Sequence, residues 1–412
     1  MFWLFLSQVC DAECGCRETL RKFLGWLALE GKSASARTPG YCKARRRLPQ
    51  KDLDETLARL SRNIRAVHSP IRLWRGRCVK VADGSGVSMP DTPQNQKSYP
   101  QPRGAKEGCS FPVMRVVALF CLGTGALISL TKGSLRVSER ALFRPLWGLL
   151  GRGDVILADR GFCGYAEYYH LMGRGVDCVM RNHQRRTVGK TILKSLGRGD
   201  RLILWHKSRP GPRCPDKPVW HTLPDTLTLR EVTFQVAVNG FRTETITVVT
   251  TLLDPEAFPT EAFAELYRSR WQAELFLRDI KTTMGMDILR CKTPEMVRKE
   301  LTMHLIAYNL VRLTMLEASC AHDTPVERIS FKGALATLRQ WAPIFVGADA
   351  SCHPKLWMHL LACLAADTLP HRPNRVEPRA RKRRPKNYQL LNKPRRLFKE
   401  IHHRNKYTKM LS

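Results

Sequence analysis

Two short apolar segments, each ending in an aspartate, stand out in the pattern of hydrophobic and polar positions. Residues 77–83 (RCVKVAD) alternate well enough to predict a short strand, and a Gly-Ser-Gly sequence is expected to end it directly after Asp83. Residues 154–159 (DVILAD) contain an apolar run typical of a buried strand, which an Arg-Gly pair closes after Asp159. The pattern therefore predicts two strands that each place an aspartate at the C-terminal end of a sheet.

A third segment has the period of a helix. In residues 267–281 (YRSRWQAELFLRDIK), spacings of 3, 4 and 7 place four polar side chains within about 60° of each other on a helix surface. These are Tyr267, Arg270, Glu274 and Lys281. The neighbouring apolar stripe, which can pack on a core, consists of Leu266, Ala273, Leu277 and Ile280. A carboxylate can hold a divalent metal, and the cations and phenol beside it can hold phosphates, whereas the simpler interpretation is a solvated, salt-bridged face.

The order of the elements around the two aspartates indicates a mixed sheet. A hairpin is expected from residues 111–122 and 126–131 around a Gly-Thr-Gly turn, followed by a helix within residues 161–174 and a strand at 176–181. Strand, hairpin and strand in this order, with mixed pairing and helices on both faces, are typical of an RNase H-like α/β fold.

The patterns outside this core are different. Residues 1–70 predict helices, among them one over residues 7–31 with Gly31 as its C-cap. Residues 187–250 contain short β-branched runs between Gly- and Pro-rich turns, which predicts a β-rich insertion. Residues 295–319 predict a long apolar helix that packs on the sheet.

These patterns divide the chain into five segments. They are a helical N-terminal region (1–70), a core in two parts (71–186 and 251–345), the β-rich insertion (187–250), and a C-terminal helix with a basic tail (346–412). From His371 onward the tail carries fifteen Lys or Arg against two Glu. We interpret it as an arm that binds phosphates, with a solvated, disordered tail as the simpler alternative.

The composition indicates a polyanionic partner. The formal net charge is +33, and such an excess of Lys and Arg favours nucleic acid. No apolar run is long enough to span a membrane, so a membrane partner is not expected. Fourteen cysteines without paired CxxC motifs favour reduced, packing thiols in a cytosolic protein. The chain has no GxxxxGK(S/T) sequence, which argues against an ATP-driven motor.

The acids of the three segments make a candidate metal site. An aspartate before glycine is common in plain turns, so Asp83 or Asp159 alone favours a structural role. Together with Glu274, however, they would repel one another unless a cation neutralised them. Mg²⁺ prefers oxygen ligands of this kind, and Mn²⁺ suits the same ligands. A pair of such ions supports phosphoryl transfer.

At these residues the chain resembles the DDE transposases of the IS4 family. Residues 267–281 fit the family signature Tyr-x2-Arg-x3-Glu-x6-Lys without a deviation, and DGSGVSMPDT at residues 83–92 is similar to the family's first motif. LADRGF at residues 157–162 has the form of the second motif. The resemblance runs from about residue 5 to the basic tail, and its three motifs occur in the family's order.

The resemblance implies roles for single residues. Asp83, Asp159 and Glu274 would be the catalytic, metal-binding acids. Tyr267, Arg270 and Lys281 would clamp the DNA phosphates near the transposon end. Arg160 is a further candidate for contact with DNA. For a base that leaves the stack during hairpin formation, Trp205 and Trp220 of the insertion are candidate stacking partners, with ordinary packing as the alternative.

The resemblance also implies the biological setting. The partners would be double-stranded DNA, as terminal inverted repeats and target, and a second protomer in a synaptic complex. The N-terminal region would help to bind DNA in a bacterial cytoplasm, in association with the nucleoid. Family members commonly carry more residues ahead of the segment that starts here at Phe2, so we expect a shortened N-terminus.

Two other classes of function compete with this interpretation. One is a metal-dependent nuclease or resolvase on the same fold, which cuts DNA without rejoining it. The other is a basic DNA-binding protein without catalysis. Tyr267, Arg270 and Lys281 around Glu274 favour the transposase, because a simple nuclease has no need of an end clamp.

Overall fold

Alternating apolar residues build nine strands of one sheet in the described part of the chain. The structure is a computed structural model, and it describes residues 1–66, 73–106, 108–183, 189–210, 216–236 and 244–370, with 393, 394 and 397. The strands are β1 (Val79–Ser88), β2 (Val113–Cys121), β3 (Leu127–Ser134), β4 (Val155–Ala158), β5 (Asp177–Arg181), β6 (Lys190–Gly197), β7 (Asp200–His206), β8 (Thr226–Val236) and β9 (Glu244–Thr250).

The sheet is mixed, as the sequence predicts. Its strand order is β3-β2-β1-β4-β5-β9-β8-β7-β6. Strands β1, β4 and β5 are parallel, and the other neighbouring pairs are antiparallel. The predicted hairpin is confirmed as β2 and β3, whose turn contains Gly125 at φ +69°. The predicted mixed α/β class is therefore confirmed.

Strand β1 is longer than the sequence predicts. The expectation that Gly-Ser-Gly ends this strand after Asp83 is wrong, because β1 continues to Ser88 and pairs with β2 up to Ser88 opposite Val113. Pairing with β2 supplies backbone hydrogen bonds to the glycines, and the strand buries Val87 beyond them. Parallel pairing with β4 ends earlier, at Ala82 opposite Ala158.

The segment predicted to be a β-rich insertion supplies the strands β6 to β9. Strand β9 pairs antiparallel with β5 through Val179 opposite Thr250, so these strands extend the same sheet. A buried ion pair lies within this part, where Arg230 donates to both carboxylate oxygens of Asp200 at 2.8 and 2.5 Å. The long gap between the second aspartate and Glu274 is thus filled by a continuation of the sheet.

Helices cover both faces of the sheet. They are α1 (Phe2–Val9), α2 (Cys16–Leu29), α3 (Thr38–Arg47), α4 (Gln50–Ala66), α5 (Pro93–Ser98), α6 (Glu139–Phe143), α7 (Tyr165–Met172), α8 (Thr260–Ser269), α9 (Trp271–Arg278), α10 (Pro294–Ala321), α11 (Phe331–Gly347) and α12 (His353–Ala366). Among the residues described, no helix is long and apolar enough to cross a membrane. The basic tail from His371, except residues 393, 394 and 397, lies outside the described ranges.

The N-terminal region is helical, but the single helix expected over residues 7–31 is wrong. The chain leaves the helix after Val9 and starts α2 at Cys16. The predicted C-cap is confirmed, since Gly31 has φ +66° and the N–H of Lys32 donates to the carbonyl of Leu27 at 2.9 Å. Apolar spacing continued through the break, so periodicity alone did not reveal it.

The two faces of the sheet carry separate apolar cores. On β1, Val81 belongs to the core that also contains residues of α9 and α10, whereas Ala82 belongs to the core under α6 and α7. On β4, Leu157 likewise belongs to the core with α9 and α10, and Ala158 belongs to the core under α6 and α7. Successive side chains of a strand point to opposite faces, so the residue two positions after Val81 or Leu157 is directed toward α9.

The long helix predicted at residues 295–319 is confirmed as α10 and is buried on nearly all sides. Its Asn309 accepts from the N–H of Leu127 at 2.9 Å and donates to the carbonyl of the same residue at 2.8 Å. The Asn309 amide makes the two backbone hydrogen bonds that a neighbouring strand would otherwise make with Leu127 at the start of β3. It thereby attaches α10 to the sheet.

Candidate active site

Asp83 and Asp159 occupy equivalent positions at adjacent strands of the sheet. Ala82 and Ala158 are register partners in the parallel strands β1 and β4, and each is followed directly by one aspartate. Because Val81 and Leu157 face the core that contains α9, the two aspartates are directed toward that same side. The structure thus places the first two predicted acids next to each other.

The segment with Glu274 is helical but is not the uniform helix that the sequence predicts. Helix α8 ends at Ser269, α9 runs from Trp271, and a π-helical turn covers Asp279–Thr283. At the junction Arg270 N–H donates to the Tyr267 carbonyl at 3.1 Å, a three-residue spacing. A tight turn at one end and a wide turn at the other change the angular positions of the side chains relative to an ideal helix. The prediction of one regular helix is therefore wrong.

Arg270 and Glu274 form an ion pair on this segment. Nη2 of Arg270 donates to Oε1 of Glu274 at 2.7 Å, and the Arg270 side chain is 17% exposed. Its guanidinium carbon also lies 5.6 Å from the centroid of the Tyr267 ring. The phenol of Tyr267 is buried, which raises its pKa, while the charges of Arg270 and Arg181 lower it. Arg270 thus connects two of the other three predicted helix residues, Tyr267 and Glu274.

Lys281 completes the set from the π-helical turn. Its Nζ donates to Oγ of Ser85 at 2.8 Å. Ser85 lies two positions after Asp83 on β1, so the two side chains are directed to the same face of the sheet. The ammonium group therefore lies on the side of the sheet that carries the acids.

The charges of the other two acids act on Asp83. Burial raises the pKa of Asp83 to about 6. The N–H of Gly84, which donates to the Asp83 carboxylate at 2.8 Å, and the charge of Arg270 lower this pKa and offset part of the effect of burial. The negative charges of Glu274 and Asp159 raise the pKa of Asp83 further. A carboxylate in such surroundings is stabilised by an added cation.

The donor set fits a hard divalent cation, although the acids are not arranged as ligands. Across the described ranges, no group of three or more Asp, Glu, His or Cys side chains has the geometry of a metal site. One oxygen of Glu274 is bound by Arg270, so this carboxylate is directed along its own helix. Carboxylate oxygens are nevertheless the ligands that Mg²⁺ and Mn²⁺ prefer.

Comparison with known proteins identifies the family. The family model described as the transposase DDE domain matches residues 74–310, more than half of the chain. The chain belongs to the DDE transposase family. Members of this family use divalent metal ions, in keeping with the oxygen donors of the three acids.

Two further similarities accompany this match. The chain is 29% identical over 320 residues to the transposase InsG for insertion sequence element IS4 of Escherichia coli K12, covering 76% of this chain and 70% of that protein. The prediction of an IS4-family DDE transposase is confirmed. A solved piggyBac transposase synaptic complex with hairpin DNA aligns with a TM-score of 0.37 at 10% identity, over 69% of this chain and 57% of that chain.

Arg181 is a residue of this transposase that the sequence analysis missed. Ala158 is paired with Met180 of β5, so Arg181 occupies the position on β5 that Asp159 occupies after β4. Its charge lowers the pKa of the buried Tyr267 phenol. The signal was present in the sequence, because an apolar strand at residues 176–181 ends in a charged residue as the two acidic strands do.

The remaining candidates lie at the border of the site or away from it. Arg160 is exposed in the turn that the N–H of Phe162 closes on the carbonyl of Asp159 at 3.0 Å. Trp205 is buried and packs its ring against Tyr165 and Tyr168, as expected for ordinary packing. Trp220 is half-buried, and its ring N–H donates to the carbonyl of Ser208 at 2.9 Å.

Proposed function

We propose that this transposase cleaves the ends of an insertion sequence and joins them to target DNA by metal-assisted phosphoryl transfer. The observation that carries the proposal is the meeting of three elements at one place. Asp83 and Asp159 follow paired positions of adjacent parallel strands, and Glu274 of α9 is near enough for its charge to raise the pKa of Asp83. The strand order β3-β2-β1-β4-β5 supports an RNase H-like core.

Asp83, Asp159 and Glu274 would hold the metal, for which we propose Mg²⁺, with Mn²⁺ suited to the same oxygens. When bound, two such ions activate an attacking oxygen and stabilise the leaving oxygen of a phosphodiester. Arg270 competes with the metal for the third acid, since its 2.7 Å ion pair occupies one of the two carboxylate oxygens of Glu274. We infer that DNA phosphates compete for Arg270 and so release Glu274.

The cations around the acids would bind the DNA backbone. Arg270 and Lys281 lie on the side of the sheet with the acids, and Arg181 lies in the row of strand ends beside them. Guanidinium and ammonium groups bind phosphate oxygens and position a strand without reading its sequence. We assign the same role to the exposed Arg160 and to the hydroxyl of Tyr267.

Family membership supports a proposal for the finer features of the reaction. A relative of this chain is named for the insertion sequence element IS4, which supports terminal inverted repeats as the substrate. We propose cut-and-paste transposition through a hairpin, by two protomers in a synaptic complex within the bacterial cytoplasm. The five segments described from the sequence, including a DNA-binding N-terminal region at residues 1–70, belong to the same proposal.

The test uses a plasmid with the DNA that flanks the gene, incubated with purified protein and Mg²⁺. Products are mapped at nucleotide resolution on denaturing gels for the native protein and Glu274→Gln. Glu265→Gln is the matched control, since Glu265 is an exposed glutamate on α8. We expect metal-dependent cuts at the repeat ends that vanish only in Glu274→Gln. Binding without any cut in the native protein would contradict the proposal, and cuts without strand-transfer product would favour a nuclease.

A further inference from the structure

A fourth carboxylate lies against the backbone beside both aspartates, on the other face of the sheet. Glu139 is the first residue of α6. A Cβ atom added at Gly84 would lie 2.8 Å from its Cδ and 2.9 Å from its Oε1. A Cβ atom added at Gly161 would lie 3.5 Å from its Oε2. Each oxygen of Glu139 therefore faces one of the glycines that follow the acidic positions.

Little else explains the position of this side chain. Within the described ranges, its one ion pair, with Nε of Arg115, is long at 3.9 Å, and the Glu139 side chain is 40% exposed. The guanidinium of Arg115 instead donates to the carbonyl of Val137 at 2.7 Å. A long ion pair at a surface contributes little to stability. The Glu139 carboxylate instead occupies the space that a Cβ atom would need at Gly84, and it lies next to the corresponding space at Gly161.

The contact bridges a gap in the sheet. Parallel pairing between β1 and β4 ends at Ala82 opposite Ala158, so no strand pairing between them continues to the two aspartates. The Glu139 carboxylate lies just beyond this last pair, with one oxygen on each chain. Ser138 accepts from the N–H of Ala141 at 3.2 Å and fixes the start of α6.

We propose that Glu139 is a positioning residue that sets the separation between Asp83 and Asp159 by the volume of its carboxylate. Its role in catalysis rests on the proposed function. A Cβ atom at position 84 would force Glu139 out of this position, so the glycine leaves room for the side chain on the strand. Close packing transmits the position of α6 to the strand ends.

The first test compares Glu139→Gln with Glu139→Ala. Glutamine has the same shape without the charge, so we expect it to cleave transposon-end DNA at nearly the native rate. Alanine removes the spacer, and we expect kcat to fall by about 10- to 100-fold. KM for the DNA should stay nearly unchanged in both variants, because Arg270 and Lys281 lie on the other face of the sheet. Equal losses in the two variants would show that the charge matters and would overturn the proposal.

The second test measures coupling between Glu139 and Gly84. Gly84→Ala places a methyl group within 2.8 Å of the carboxylate, so it should lower both the melting temperature and kcat. In Gly84→Ala/Glu139→Ala, the methyl group occupies space that the shortened side chain has vacated. We expect the double variant to recover part of the loss in melting temperature and part of the loss in kcat. Additive losses would show that Gly84 and Glu139 are not coupled and would overturn the proposal.

The two measurements separate this inference from the proposed function. If the native protein cuts no DNA, the proposed function fails, but the melting temperatures still report whether Gly84 and Glu139 are coupled. If the native protein cuts DNA and both coupling and the glutamine rescue are absent, only the role of Glu139 fails. Gly148→Ala is a suitable control, since an added Cβ there meets no atom within 4 Å.

Discussion

Lys281 donates a hydrogen bond of 2.8 Å to the hydroxyl of Ser85, and this contact joins the π-helical turn to the strand that carries Asp83. The two residues are 196 positions apart in sequence. Because Ser85 and Asp83 point to the same face, the hydrogen bond places the end of the Glu274 segment over the first acid.

Replacing Lys281 with alanine should weaken binding to transposon-end DNA. If the ammonium group contacts one phosphate, the slope of log K against log salt concentration should fall by about one. Ser85→Ala keeps the charge and should leave the slope unchanged. Fluorescence anisotropy over a series of KCl concentrations measures both, and an unchanged slope in Lys281→Ala would contradict the phosphate contact.

Replacing Arg270 with alanine should change metal binding and DNA binding in opposite directions. The substitution frees the carboxylate of Glu274, whose ion pair is partly exposed and therefore modest. We expect Mn²⁺ affinity, measured by calorimetry, to rise about two- to fivefold. DNA binding should weaken. Arg268→Ala, on the exposed side of α8, is the control, and a loss of Mn²⁺ affinity in Arg270→Ala would count against the release of Glu274.

Breaking the buried ion pair between Arg230 and Asp200 should destabilise the extended sheet. Arg230 is fully buried, so Asp200→Asn would leave its charge without a full counter-charge. We expect a loss of about 3–5 kcal/mol in the free energy of unfolding, measured with urea. Lys51→Met, which removes an exposed ion pair with Glu55, should change it by less than about 0.5 kcal/mol. Similar losses of stability in the two variants would refute the prediction that the buried ion pair matters more than the exposed one.

His304 should make the protein sensitive to acid. Burial, aided by the charge of Arg290, lowers the pKa of His304 from 6.5 to about 3. Between these values the unfolded chain binds a proton that the folded chain does not, so stability falls as the pH falls. The contribution is about 1.4 kcal/mol per pH unit below 6.5. In urea unfolding at pH 7, 6 and 5, His304→Leu should lose less stability than the native protein, and parallel curves would disprove the effect.

Much of the candidate site was predictable because its signals are local. The strands before Asp83 and Asp159 follow from a few apolar residues, and the spacing of Tyr267, Arg270 and Glu274 follows from helical periodicity. The prediction of a regular helix was wrong at both ends of α9. Hydrogen bonds tighten at Arg270 and widen before Lys281, and such changes depend on how the segment packs against the sheet.

Other parts depend on contacts that are distant in sequence. The extension of β1 to Ser88 requires pairing with β2, which overrides the turn tendency of glycine. The position of Arg181 beside Asp159 depends on the register of β5 against β4. Glu139 reaches Gly84 only because α6 covers the opposite face of the sheet, and no spacing in the chain indicates this contact.

The sequence by itself determined the family, the two acid-bearing strands and the helical character of the Glu274 segment, because residue type and period carry that information. Only the tertiary structure decided which side chains meet. It paired Arg270 with Glu274, joined Lys281 to Ser85, and brought Glu139 against the two glycines. The physical reason is that strand register and the packing of helices on a sheet depend on the whole core, whereas a motif records only the spacing along the chain.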